Sequence, residues 1–303
     1  MEISKHIGQG FAKGELYDTL IALQLESGLL PISGITYFVS QMGNGTTGLS
    51  WENAFTTLSA AITASNTWFD ATGTSRISRN RIFVDGTNYA ALTVLPKHCD
   101  IIGVGTNPRI NAASAIATAC DGCHIYNMKF RSATAAPIFG TTVATNGLEF
   151  HNCYFDNSGS ATYYLKLFGN QTIKIINCIF TGTYAPATGI QIDSSFISGE
   201  ITGNIIKAST AGIAIGAAVL THDYNSVIKD NIISCTSKDS QLNYGIDIQS
   251  EGSASRIMIV KNWISAADAI HYTAGSDANR CANNCINNHV VQGTTGSTET
   301  ATS

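Results

Sequence analysis

Ile173-Lys-Ile-Ile-Asn177-Cys-Ile-Phe180 alternates apolar residues, breaks at an asparagine and resumes with apolar residues. A second short run, Gly189-Ile-Gln-Ile-Asp193, follows it, opened by a small residue and again alternating. Alternation of this kind marks a strand with one buried face. The first half of the pattern recurs upstream as Ile125-Tyr-Asn127-Met-Lys-Phe130 and Leu148-Glu-Phe-His-Asn152-Cys-Tyr-Phe155. Downstream it recurs as Ile201-Thr-Gly-Asn204-Ile-Ile206, Val227-Ile-Lys-Asp-Asn231-Ile-Ile233 and Ile257-Met-Ile-Val-Lys-Asn262-Trp-Ile264, with a degraded copy at Asn284-Cys-Ile286. The asparagines are spaced by 25, 25, 27, 27, 31 and 22 residues. The second half recurs as Gly212-Ile-Ala-Ile-Gly216, Gly245-Ile-Asp-Ile-Gln249 and Ala269-Ile-His-Tyr272.

Two or three short strands in roughly 26 residues are too few for a propeller blade of ~40–50 residues, and the alternation does not suit a helical repeat. They fit one coil of a parallel β-helix, in which each coil stacks on the last. The reading predicts an all-β solenoid of about eight coils. Ile190, Ile213, Ile246 and Ile270 then point inward, and Gln191, Ala214, Asp247 and His271 form an outward column. Asparagine at a bend tolerates left-handed backbone geometry, and stacked amides can bond from coil to coil. Asn127, Asn152, Asn177, Asn204, Asn231, Asn262 and Asn284 are accordingly expected to form a ladder.

The chain divides into three parts: residues 1–34, a solenoid with its cap over 35–292, and a Gly/Thr/Ser tail over 293–303. Residues 13–27 read as a short helix with Leu16, Leu20 and Leu23 on one stripe, stopped by Gly28. A second helix is expected from an N-cap at Ser50, with Phe55, Leu58 and Ile62 on one face. Laid across the first coil, it would cover exposed backbone and apolar core. The tail has nothing to bury and is expected to be mobile or extended.

Composition supports strands. The chain holds 36 Ile against 15 Leu, with 23 Asn and 28 Gly, and β-branched side chains suit a pleated surface. Only 13% of residues are charged and the net charge is −4, which argues against a nucleic-acid partner. No apolar run is long enough to insert in a membrane. The start, Met1 to Gly8, lacks a basic segment followed by an apolar stretch, so no secretory leader is expected. On that reading the eight cysteines are thiols of a protein folded in cytoplasm.

The stretch from Thr36 to Ile62 (TYFVSQMGNGTTGLSWENAFTTLSAAI), followed by RIFVDGTNYAALTVLPKHCDIIGVG from Arg81, resembles the opening of right-handed parallel β-helix proteins of the pectate-lyase-like superfamily. The resemblance spans roughly residues 36–292. It implies the fold, and leaves function among lyases, hydrolases, epimerases, bacteriophage tailspikes and structural modules. Together with the missing leader, it implies a tailspike-like or capsid-attached fibre or decoration protein of a virion. Such a protein is assembled in host cytoplasm, is a homotrimer, and is attached to other virion proteins through Leu16, Leu20 and Leu23. It adsorbs to host surface polysaccharide. The alternative is a polysaccharide lyase or glycoside hydrolase on the same fold.

Cys120-Asp-Gly-Cys123-His124 matches the haem-attachment spacing and half of a zinc site. The Asp-Gly step suits a turn, and Cys281 and Cys285 fall about six coils away, so no metal and no cofactor is expected. Cys153 and Cys178 occupy equivalent positions one coil apart and read as stacked free thiols. Glycoside hydrolysis would need paired carboxylates, and a lyase a base with a stabilising charge. No carboxylate pair sits on adjacent coils. If the protein is an enzyme, the catalytic candidates are Asp247 with His271, then Asp193. Glycan binding needs aromatic platforms, for which Tyr163, Tyr164, Tyr184, Tyr224, Tyr244 and Tyr272 are the candidates.

Overall fold

The computed structural model describes residues 34–72, 79–86, 88–105, 108–216, 226–235, 243–249, 257–272, 280–282 and 284–286. Leu16, Leu20, Leu23, Tyr224 and the tail over 293–303 lie outside the described residues.

Three parallel sheets wrap one core. A ten-strand sheet begins with Thr36–Val39 and Asn80–Val84 and continues from Cys99–Gly103 to Arg280–Ala282. An eight-strand sheet runs from Arg109–Ile110 to Cys285–Ile286, and a seven-strand sheet from Ser114–Ile116 to Asp268–Tyr272. From Cys99 to Tyr272 each coil contributes one strand to each sheet in turn, so every strand pairs with its counterpart one coil away. This is a parallel β-helix.

The core is built from stacks of like side chains. On the eight-strand sheet the rings of Phe130 and Phe155 lie 5.0 Å apart and nearly parallel, and those of Phe155 and Phe180 lie 4.7 Å apart. Ile206, Ile233 and Ile264 continue that column and are fully buried. On the seven-strand sheet Ile190, Ile213, Ile246 and Ile270 stack in register, buried. The small residue opening each of these strands has a steric cause. A Cβ at Gly212 would lie 2.2 Å from Cγ2 of Ile233, and one at Gly245 would lie 2.1 Å from Cγ2 of Ile264.

The asparagines divide into two groups. Asn204, Asn231, Asn262 and Asn284 are buried, and each side-chain amide of the first three donates to Oδ1 of the next, at 2.9, 2.9 and 3.0 Å. The same oxygens also accept the backbone N–H of the preceding coil's asparagine. The second amide hydrogen of each goes to a strand carbonyl: Ile175, Ile201, Ile228 and Ile259 in turn. Asn127, Asn152 and Asn177 correct the expectation of a seven-rung ladder. They stand one residue earlier, exposed, with φ of 55°, 53° and 54°. In the later coils that left-handed seat belongs to Gly203, Asp230 and Lys261. The inward seat in the early coils belongs to Met128, Cys153 and Cys178 instead, and the Cys178 N–H donates to Asn204 Oδ1 at 2.8 Å. Two adjacent positions therefore favour asparagine for different reasons, backbone geometry at one and buried hydrogen bonding at the other.

Helix Leu58–Thr72 covers the N-terminal end, with Leu58, Ala61 and Ile62 in the core. It starts later than an N-cap at Ser50 would place it. Thr57 Oγ1 caps it by accepting the Ala60 N–H, while Ser50 Oγ caps a turn at Asn53. Phe55 is drawn off by backbone pairing with Phe38 and Ser40. The helix is tied down by Asn80, whose amide donates to the Ser65 carbonyl and hydroxyl. Cys99, Cys120, Cys123, Cys153 and Cys178 are free and buried. Burial pushes the Cys99, Cys123 and Cys178 thiols up, away from the reactive thiolate. Gly122, with φ of 65°, makes the turn in Cys120-Asp-Gly-Cys123. Among the described residues no group of three His, Cys, Asp or Glu could hold a metal ion.

Candidate functional site

From Tyr126 onward the step from the ten-strand to the eight-strand sheet always takes two residues, a constant corner that preserves the stack. The residues that could carry chemistry gather on another part of the surface, the outer face of the seven-strand sheet, where a buried carboxylate, an imidazole and a tyrosine ring meet.

The register stacks Lys166, Gln191, Ala214, Asp247 and His271 on that face. Asp247 and His271 come together: His271 Nδ1 lies 2.7 Å from Asp247 Oδ1. The second oxygen of Asp247 accepts the Gln249 side-chain amide. Asp247 is 3% exposed although it sits on an outward position. A carboxylate can only accept, so Nδ1 carries the proton and Nε2 of a neutral His271 keeps its lone pair. The ring of Tyr244 stacks on the imidazole at 4.4 Å. Burial, then Asp247 and Asp268, push the Tyr244 hydroxyl up, keeping it neutral.

Asp193 is not brought into this pair. It lies beside Gly216 in the register, is bonded by Gln191 Nε2 at 3.0 Å, and pairs with Lys166 Nζ at 3.3 Å. Two strand spacings across and two residues along, roughly 12 Å in all, separate its backbone from that of Asp247. Tyr163 is half-buried with Lys166 Nζ 5.2 Å from its ring centre, and shares a register column with Tyr244 through Thr188 and Ala211. Tyr184 is exposed. Tyr272 ends the last strand of the sheet. Tyr164 corrects the expectation of a glycan platform: it is fully buried among Phe180 and its neighbours, because Tyr164 and Leu165 both turn inward.

Sequence reading missed a second charged array, on the outer face of the ten-strand sheet. Asp100, His124, Glu149, Lys174 and Glu200 occupy one column. Arg79 pairs with Asp100 at 2.6 Å, His151 and Lys174 with Glu149 at 2.8 and 2.7 Å, and Lys229 with Glu200 at 3.2 Å. Burial alone would raise Glu149, but His151 and Lys174 outweigh it and hold its carboxyl at about 2. Charges recurring at the repeat spacing were the available signal. Each carboxylate here has a cation of its own, so the array compensates itself as a structural ladder.

No protein-family model matches the chain, and no curated protein matches it. Solved structures do resemble it. A pectin methylesterase from carrot is 17% identical, covering 86% of this chain and 84% of its own, with a TM-score of 0.51. A pectin methylesterase from Aspergillus niger is 16% identical, covering 90% and 91%, with a TM-score of 0.50. The chain shares their fold. At that level of identity the likeness concerns the path of the backbone alone.

Proposed function

We propose that the protein acts on a polysaccharide laid along the outer face of the seven-strand sheet, with His271 as general base. The observation that carries the reading is the bond from His271 Nδ1 to a buried Asp247 whose other oxygen is also occupied. That arrangement orients the imidazole, fixes its tautomer and steadies the imidazolium formed once Nε2 takes a proton. Tyr163 and Tyr244 offer ring faces on the same side. The fold neighbours, pectin methylesterases by name, support a carbohydrate substrate and make pectin the first to try.

Purified protein is incubated with methylated pectin, de-esterified pectin and bacterial capsular polysaccharides. Methanol release, new reducing ends and ultraviolet absorbance of unsaturated products are followed together. One of these signals is expected, falling by a factor of about 10²–10⁴ in His271→Ala, the usual worth of a general base. Undiminished turnover in that variant overturns the assignment. A polysaccharide bound without turnover favours the second reading, an adsorption protein of a virion, for which the exposed ring of Tyr184 is a fitting contact.

A further inference from the structure

The outer face of the eight-strand sheet carries a feature that the carbohydrate face does not use. Ile179, Ile205, Ile232 and Trp263 occupy the same outward position on four successive coils. They are 37%, 46%, 52% and 55% exposed. Nothing in the fold demands apolar residues there, since the equivalent position two coils before Ile179 is Lys129. The next outward column of the same strands holds Lys207, Ser234 and Ser265. The result is a straight apolar rib, one side chain wide and about 14 Å long at the strand spacing, with Lys207 and two serines beside it.

The rib exposes on the order of 400 Å² of apolar surface, as large as the main patch of a typical monomer. A stable protein interface takes ~800 Å² from each partner, apolar at the centre and polar at the rim. The rib, with Lys207, Ser234 and Ser265 as a polar margin, matches the central half of such an interface. A small molecule would need a concave pocket instead.

The spacing of the rib selects the occupant. Its side chains repeat at the strand separation of about 4.8 Å. A surface meets them side chain for side chain only if it has the same repeat, and a second copy lying parallel has it. The rib carries no charge, so copies related by a rotation axis along the solenoid bring no like charges together at the centre. We propose that this protein self-associates through the rib, copies side by side and parallel, with Ile205 and Ile232 each facing its own counterpart.

The test uses the full chain. Light scattering behind size exclusion is expected to give a multiple of the monomer mass, and Ile205→Asp with Ile232→Asp is expected to return it to monomer with little change in melting temperature. Ile205→Cys, oxidised and run without reductant, is expected to form an interchain disulfide that Ile205→Ser does not. This arm stands even if the double variant fails to fold. A wild-type monomer at all concentrations, an unchanged mass in a folded double variant, or no cross-link in Ile205→Cys overturns the proposal. None of these readouts depends on the site at His271.

Discussion

Tyr164 shows how far one residue can depart from the alternation around it. Tyr163 faces outward and Leu165 inward, yet Tyr164 turns inward as well, and its hydroxyl is buried with no hydrogen-bond partner. Burial and then Asp156 push that phenol well above its ordinary range. A buried hydroxyl left unpaired costs about 1–3 kcal/mol. Tyr164→Phe keeps the ring against Phe180 and removes the cost. Urea unfolding is expected to show equal or higher stability, by up to about 2 kcal/mol; a clear loss would mean that the hydroxyl has a partner. The contrast with His271 is instructive. Asp247 and His271 were legible as neighbours because their strands align letter for letter. The inward turn of Tyr164 was not, because it depends on room left by Phe180 in another strand.

Among the elements, the asparagine ladder has the clearest energetics. Asn231 accepts from both the backbone and the side chain of Asn204, and donates to Asn262 and Ile201. Asn204 stands at the ladder's end, where Cys178 contributes only a backbone N–H. Asn231→Cys is therefore expected to cost about 2–4 kcal/mol through the buried groups it strands, and Asn204→Cys less. Chemical denaturation of the two variants checks the order, and equal losses would argue that the rungs act independently of position. The repeat was plain in the sequence, but its phase was not. Asn177 and Asn204 are 27 residues apart, while the strands that follow them, at Ile179 and Ile205, are 26 apart. That single residue separates the left-handed seat from the ladder seat.

For the molecule as a whole, the charged array on the ten-strand sheet ties stability to pH. The Glu149 carboxyl is held at about 2 against an ordinary 4.5, so the folded state favours its ionised form. Its contribution is complete above about pH 4.5 and is lost as pH falls toward about 2. Melting temperature is expected to drop across that window, and Glu149→Gln is expected to lower it at neutral pH while flattening the acid slope. A variant with an unchanged slope would assign the acid sensitivity elsewhere. Sequence alone determined the coil, its period and the stack of isoleucines, because each is written in local alternation repeated seven times. It also placed Asp247 beside His271, since stacking in register turns a repeat into a distance. Tertiary structure alone decided which asparagines are buried, where the helix starts, and which outward columns are charged, apolar or covered. Those outcomes depend on how bends and neighbouring coils close over a side chain, and no single repeat encodes that packing.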